Sequence, residues 1–220
     1  MLLCLISLLL LSCKSHLAGT HIVPLSQAHA HNDYEHERPL YDALDHGFNS
    51  VEADIFLVDD DLYVAHNRRD ITSERTLRRL YLDPLRERVK HNGGRVYRHG
   101  PQFTLLIDIK TGAVETYKTL DRILAEYRDI FTSFGPNGRS DKAVLAIISG
   151  NRPREFMESQ KLRYAGCDGR LRDLKSESPA DLIPMISDNW RNHFKWNGTG
   201  EIPAEEHEKL REIVQKAHEK

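Results

Sequence analysis

Five side chains in this sequence have the right types and positions to do chemistry together: His31, Glu52, Asp54, His66 and Asp108. Each falls at or near the end of a stretch that reads as a β-strand. Ser50-Val51-Glu52-Ala53-Asp54-Ile55 alternates with a period of two, so a strand there shows Glu52 and Asp54 on one face and apolar side chains on the other. Leu105-Leu106-Ile107-Asp108-Ile109-Lys110-Thr111-Gly112 repeats the pattern with Asp108 and Lys110 on one face. Three carboxylates brought from two strands repel one another unless a cation holds them. Ligands that are all oxygen select a hard divalent ion, Mg²⁺ or Ca²⁺. Two imidazoles flanking a phosphoryl group at such an ion suit base and acid on opposite sides of an in-line displacement, and His31 and His66 are placed for those roles. A lone strand-end aspartate is more often a cap or an ion-pair partner; the company of Glu52-x-Asp54 makes Asp108 a ligand. His29 shares a face with His31 and is expected to be a buried, hydrogen-bonded histidine lower on the strand. His46, His91, His99, His193, His207 and His218 fall in expected helices or loops and read as surface residues.

The elements that must position these groups follow from periodicity. Strands are expected over Gln27 to Ala30, Asn49 to Ile55, Leu62 to His66, Phe103 to Ile109, Ala143 to Ile148, Arg163 to Cys167 and Ile183 to Ser187. The third follows Asp59-Asp60-Asp61 and reads as hairpin-like. Helices are expected over Pro39 to His46, Thr76 to His91, Ala113 to Phe131, Pro153 to Gln160 and Ala204 to His218, with Pro39 in a first turn and Gly47 just past a helix end. Gly135 to Ser140 reads as a surface loop. Alternating strands and helices imply an α/β, TIM-barrel-like fold whose functional face lies at the carboxyl ends of the strands. A complete eight-fold barrel takes about 250 residues, and the 220 here end inside a helix with no strand after it. The expected barrel domain, residues 14–220, is therefore incomplete at its C-terminus, which leaves strand edges without partners.

Charge and cysteine content narrow the function classes. With 31 basic and 33 acidic side chains the net charge is -2, and no basic track of the kind that follows a nucleic-acid backbone is present. Cys4 and Cys13 lie in or beside the N-terminal apolar segment and leave Cys167 alone in the body, so no disulfide framework can form. Leu2 to Leu11 is too short for the ~20 residues of a spanning helix and reads as a signal-peptide core. Leu10-Leu11-Ser12-Cys13 resembles a bacterial lipobox. Residues 1–13 are accordingly expected to be a signal peptide or lipobox, and the protein to be exported, as a bacterial lipoprotein in contact with the membrane through Cys13 or as a secreted chain.

Taken together, His31-Asn32, Glu52-Ala53-Asp54, Val64-Ala65-His66 and Asp108-Ile109-Lys110 resemble the glycerophosphodiester phosphodiesterase (PLC-like) barrel superfamily, which includes the sphingomyelinase D enzymes. The nearest likeness is to the bacterial and fungal PLC-like group with a His-x-His-Asn-Asp-Tyr opening, which includes the yeast protein named for altered inheritance of mitochondria. Tyr81-Leu82-Asp83-Pro84-Leu85 and Cys167-Asp168-Gly169-Arg170 also look like that group. The resemblance implies a metal-dependent phosphoric diester hydrolase acting on a glycerophosphodiester or phospholipid head group. It implies Glu52, Asp54 and Asp108 as ligands of one divalent cation, His31 and His66 as the proton-transfer pair, and Lys110 on a phosphate oxygen. Glycerophosphodiesterases carry arginine after the first catalytic histidine; Asn32 stands there instead and offers only an amide. Trp190, Trp196 and the loop between them are expected as further pocket elements.

Two other readings compete. His29-x-His31 taken as a metal pair would open an amidohydrolase-type site, which needs further histidines at later strand ends and would favour zinc. A barrel kept as a non-catalytic binding module, or truncated, on a surface lipoprotein is the alternative outside enzymes.

Overall fold

The computed structural model describes residues 22–220. In chain order its elements are β1 (Leu25–Ala30), α1 (Tyr41–Asp45), β2 (Phe48–Val58), β3 (Asp61–Val64), α2 (Asp83–His91), β4 (Phe103–Ile109), α3 (Ala113–Glu126), β5 (Ser133–Gly135), β6 (Gly138–Ser140), β7 (Val144–Gly150), α4 (Arg154–Ser159), β8 (Ala165–Gly169), β9 (Met185–Ile186) and α5 (Ala204–Glu219). The main sheet runs β1-β2-β4-β7-β8-β9, all parallel, with β3 antiparallel on β2. This curled parallel sheet is a half-barrel compatible with the TIM-barrel-like expectation.

The sheet is apolar on its convex side, because alternate residues of each strand point there. Val51, Ala53 and Ile55 of β2, Leu105, Ile107 and Ile109 of β4, and Val144, Ala146 and Ile148 of β7 are buried against Leu85 of α2 and Leu120, Ile123 and Leu124 of α3. The concave side holds a smaller cluster, Phe134, Leu145 and Ile147 packed with Leu106 and Met185. Above it the polar residues begin.

Several elements differ from the expectation for physical reasons. The helix expected from Thr76 begins instead with a wide turn, Arg78–Leu82, before α2. Pro84 causes this, because it has no N–H to give to the previous turn and its ring crowds the carbonyl four residues back. The helix expected from Pro39 starts at Tyr41, after a Leu40 held at φ 67°. Gly47 does close that helix, at φ 81°, with its N–H on Leu44 O at 3.1 Å. The expected loop Gly135 to Ser140 is instead the turn and second strand of a hairpin that starts at Ser133; Pro136 fixes its turn and Gly138 takes φ 89°. The strand expected over Leu62 to His66 ends at Val64, and the hairpin reading of it holds. Asp59 and Asp60 both adopt positive φ, 47° and 64°, as a two-residue turn between strands requires.

Candidate active site

β2 overshoots the sheet by several residues, and β3 folds back along it, pairing Val58 with Asp61 and Ile55 with Val64. Ala65 then donates to Asp54 O at 3.3 Å. His66 therefore reaches the carboxylates because a hairpin returns it to the level of Asp54, not because it ends a parallel strand. Register supplies the other groups: Asp54 lies opposite Asp108, and Asp108 opposite Ser149. The Ser149 hydroxyl donates to buried Asp168 at 2.8 Å. One polar row thus crosses β2, β4, β7 and β8.

Glu52, Asp54 and Asp108 each place a carboxylate oxygen within 4.8 Å of the others, an arrangement that could hold a metal ion. Lys110 Nζ lies between two of them, 2.9 Å from Asp54 Oδ2 and 3.1 Å from Asp108 Oδ1. Burial alone would lower the Lys110 pKa; these two carboxylates reverse that and raise it. Burial raises the Asp108 pKa, and Lys110 only partly offsets the effect. Asp54 is 1% exposed, and its Oδ1 is buried without a hydrogen-bond partner. A buried carboxylate with one unpartnered oxygen, grouped with two more acids, fits a cation, and a set made only of oxygens fits a hard one.

Around this centre stand the two histidines. His31 Nε2 is 3.5 Å from Glu52 Oε2, with its side chain 75% exposed, and the Asn32 backbone N–H donates to the same oxygen at 3.0 Å. Asn32 adopts φ 50°, a left-handed conformation that asparagine tolerates better than most residues. His66 faces the centre through Tyr34, whose hydroxyl is 2.7 Å from Asp54 Oδ2, 3.0 Å from His66 Nδ1 and 3.0 Å from Asn32 Oδ1. The hydroxyl has one proton, and the shortest contact, to the buried carboxylate, takes it. Its oxygen then accepts from His66 Nδ1–H, and from the Asn32 amide when the nitrogen is turned inward. Acidic oxygens of Asp54 and Glu35 also face Nδ1, at 3.8 and 3.9 Å. The His66 proton therefore belongs on Nδ1, which leaves Nε2 free to accept another.

The expected set thus comes together in part. Glu52, Asp54, Asp108, Lys110, His31, Asn32 and His66 are linked by the contacts above. Trp190 is engaged elsewhere: it stacks on Phe194 at 4.1 Å, and its Nε1 donates to Trp196 O at 2.7 Å. His29 is exposed rather than buried, and its Nδ1 pairs with Ser50 Oγ at 2.8 Å. Among the described residues, the one three-residue group suited to a metal contains no histidine, so His29 and His31 are not part of it.

Sequence reasoning missed four residues that shape the site. Tyr34, 2% exposed, ties Asp54 to His66, and Arg75 holds its backbone by donating to Tyr34 O. The only sequence signal was an aromatic residue inside the polar His-Asn-Asp-Tyr run. Asp33 pins the same loop, accepting from Leu40 N–H at 2.6 Å and from the Tyr81 hydroxyl at 2.8 Å, and burial raises its pKa. Gly150, at φ 65°, ends β7 so close to the centre that a Cβ there would fall on Asp108 Oδ1 and lie 2.6 Å from Ile109 O.

A family profile described as the AIM6-like phosphodiesterase domain matches residues 18–166. Among curated proteins, the chain is 33% identical over 175 residues to the altered inheritance of mitochondria protein 6 homolog of Arthroderma benhamiae, covering 70% of this chain and 55% of that one. It is 42% identical over 183 residues to the Kluyveromyces lactis protein of that name (71% and 43%) and 36% over 235 aligned positions to one from Saccharomyces cerevisiae (86% and 58%). The chain spans about half the length of the curated relatives it matches. No solved structure matches it significantly. These relatives are fungal, which overturns the expectation of an exported bacterial lipoprotein held to a membrane through Cys13. A lipobox has meaning only to bacterial lipidation, and the residues on which that reading rested, 1–13, lie outside the described part of the chain.

Proposed function

Because the chain belongs to the AIM6-like phosphodiesterase family, we propose that it hydrolyses a phosphoric diester, a glycerophosphodiester or phospholipid head group, at the Glu52–Asp54–Asp108 centre. The observation that carries this reading is the meeting of three carboxylates, a lysine and a histidine with one free ring nitrogen at a single strand-end level. Glu52, Asp54 and Asp108 would hold one Mg²⁺ or Ca²⁺, which when bound neutralises charge building on the phosphoryl oxygens. Two of the three Lys110 ammonium protons are directed at Asp54 and Asp108; the third is available to a phosphoryl oxygen and adds fixed positive charge where negative charge develops. His66 Nε2 takes the proton of the attacking hydroxyl, either water or a neighbouring hydroxyl of the substrate, and the Nδ1–Tyr34 contact keeps the ring in that tautomer. His31, exposed beside Glu52, delivers a proton to the departing oxygen. Asn32 offers an amide where a positively charged donor would otherwise stand.

The test is a phosphorus NMR time course of the purified protein with glycerophosphodiesters and lysophospholipids, in Mg²⁺, in Ca²⁺ and in chelator. Signals of a monoester or a cyclic phosphate that vanish in chelator support the reading and distinguish water from a substrate hydroxyl as the nucleophile. Absence of turnover by folded, cation-binding protein would reject it in favour of a binding module.

A further inference from the structure

A groove of ≈ 650 Å³ opens at the carboxyl ends of β4 and β7, lined by Lys110, Gly112, Arg152, Arg154, Arg172 and Asp173 among others. Four of these six residues are cationic and one is anionic, in a chain whose net charge is -2. Arg154 is committed to Asp173 at 2.6 Å and to Ser178 at 2.7 Å, and Lys110 to the acidic centre. Arg152 and Arg172 are different: among the described residues neither pairs with a carboxylate. The floor beside them is the first turn of α3, whose N-cap, Gly112, supplies no side-chain cap and leaves open space where a Cβ would stand. Unpaired guanidinia in a concave wall next to uncapped amides suit a compact anion, and guanidinium geometry matches phosphate in particular. Lys110 lines the groove and touches Asp54 and Asp108, so one molecule can reach both places.

We infer that this groove binds a phosphomonoester carried by the substrate itself, so that the preferred substrate is a diester with a second phosphate beyond the scissile one. The inference rests on the phosphodiesterase reading for the word substrate, but the groove can be tested without turnover.

Two p-nitrophenyl diesters serve as probes: p-nitrophenyl ethyl phosphate, and its analogue with a phosphate on the far end of the ethyl group. The analogue is expected to show a kcat/KM higher by about tenfold for each arginine engaged, the size of one charge-assisted hydrogen bond. The ratio should fall toward one in the Arg152→Gln/Arg172→Gln double variant. In parallel, an NMR titration of the metal-free protein with β-glycerophosphate should shift the arginine side-chain signals and the amides of residues 112–114, and should fail to do so in the double variant. Equal kcat/KM for the two diesters overturns the inference, as does a preference that survives the double substitution. Binding of β-glycerophosphate without any preference would mark a site for free phosphate and also overturn it as a substrate subsite. If neither diester is cleaved, the phosphodiesterase reading falls, and the titration alone decides whether the groove is an anion site.

Discussion

Replacing Tyr34 by phenylalanine tests the centre at its least obvious member. The substitution removes one oxygen and leaves the ring, so no cavity opens. It deletes a 2.7 Å hydrogen bond to the Asp54 carboxylate and the 3.0 Å contact that holds His66 Nδ1. A hydrogen bond to a charged group contributes about 1.5–3 kcal/mol. Asp54 Oδ2 keeps Lys110 at 2.9 Å, which places the loss toward the lower end, about 1.5–2 kcal/mol. For a chain of this size each kcal/mol moves Tm by about 2–4 °C, so Tyr34→Phe should melt about 3–8 °C below wild type in chelator. With Oδ2 shared by Tyr34 and Lys110, Oδ1 is the open acceptor of Asp54, and Tyr34 fixes which way it faces. Losing such a support typically weakens a metal site about 10–100-fold. The gap between the two proteins should therefore widen in saturating Mg²⁺ or Ca²⁺, by about 1.4 kcal/mol for each tenfold loss in affinity. Circular dichroism melts of both proteins with and without cation provide the measurement. A gap that stays constant when cation is added, or a variant that melts with wild type in chelator, would refute the link from Tyr34 through Asp54 to the cation.

Other substitutions probe the same geometry. Asp54→Asn should abolish cation binding and turnover together, whereas His29→Ala, at a residue turned to Ser50, should retain most of each; isothermal titration and the NMR time course read both. Gly150→Ala should cost about 1–2 kcal/mol for a left-handed alanine and weaken the cation more than tenfold by displacing the Asp108 carboxylate, as urea melts and titration would show. Asp33 has a pKa raised by burial above the ordinary 3.8. Its contribution to stability is therefore complete below that value and is lost as pH rises through the higher folded value. Asp33→Asn should compare less and less badly with wild type as pH climbs from 3.8, and a stability gap that does not change with pH in urea melts would contradict this.

How much of this was legible in the sequence depends on whether the information is local. Phe103 to Ile109 was readable to the residue because a buried strand next to a glycine-ended loop has few alternatives. The shared face of Glu52 and Asp54 followed from a period of two, which no tertiary contact can alter. The lysine between the acids was foreseeable in identity but not in position, since only folding shows that Nζ bridges Asp54 and Asp108. Tyr34 and Gly150 were invisible for the same reason: one acts across 20 residues on Asp54, and the other matters through a neighbouring strand. Trp190 misled because an aromatic residue near a site looks the same in sequence whether it lines a pocket or packs on Phe194. Pro84 was in plain view, yet helical periodicity on both sides of it outweighed its missing donor.

The polar row across β2, β4, β7 and β8 makes the sheet behave as a set of scales that must be read in phase. Asp54, Asp108 and Ser149 face one another only because three strands of different origin are aligned residue to residue. Sliding one strand by a single residue turns its polar group to the convex side, and sliding it by two moves that group about 7 Å along the barrel wall. Length in the exposed turns between elements has no such constraint, because those turns do not set the register of the strands. A two-residue deletion inside β4 ahead of Asp108 would keep the apolar residues of the strand on the core side, but with its aspartate out of line. In this molecule the phase of the strands sets the site as well as the packing.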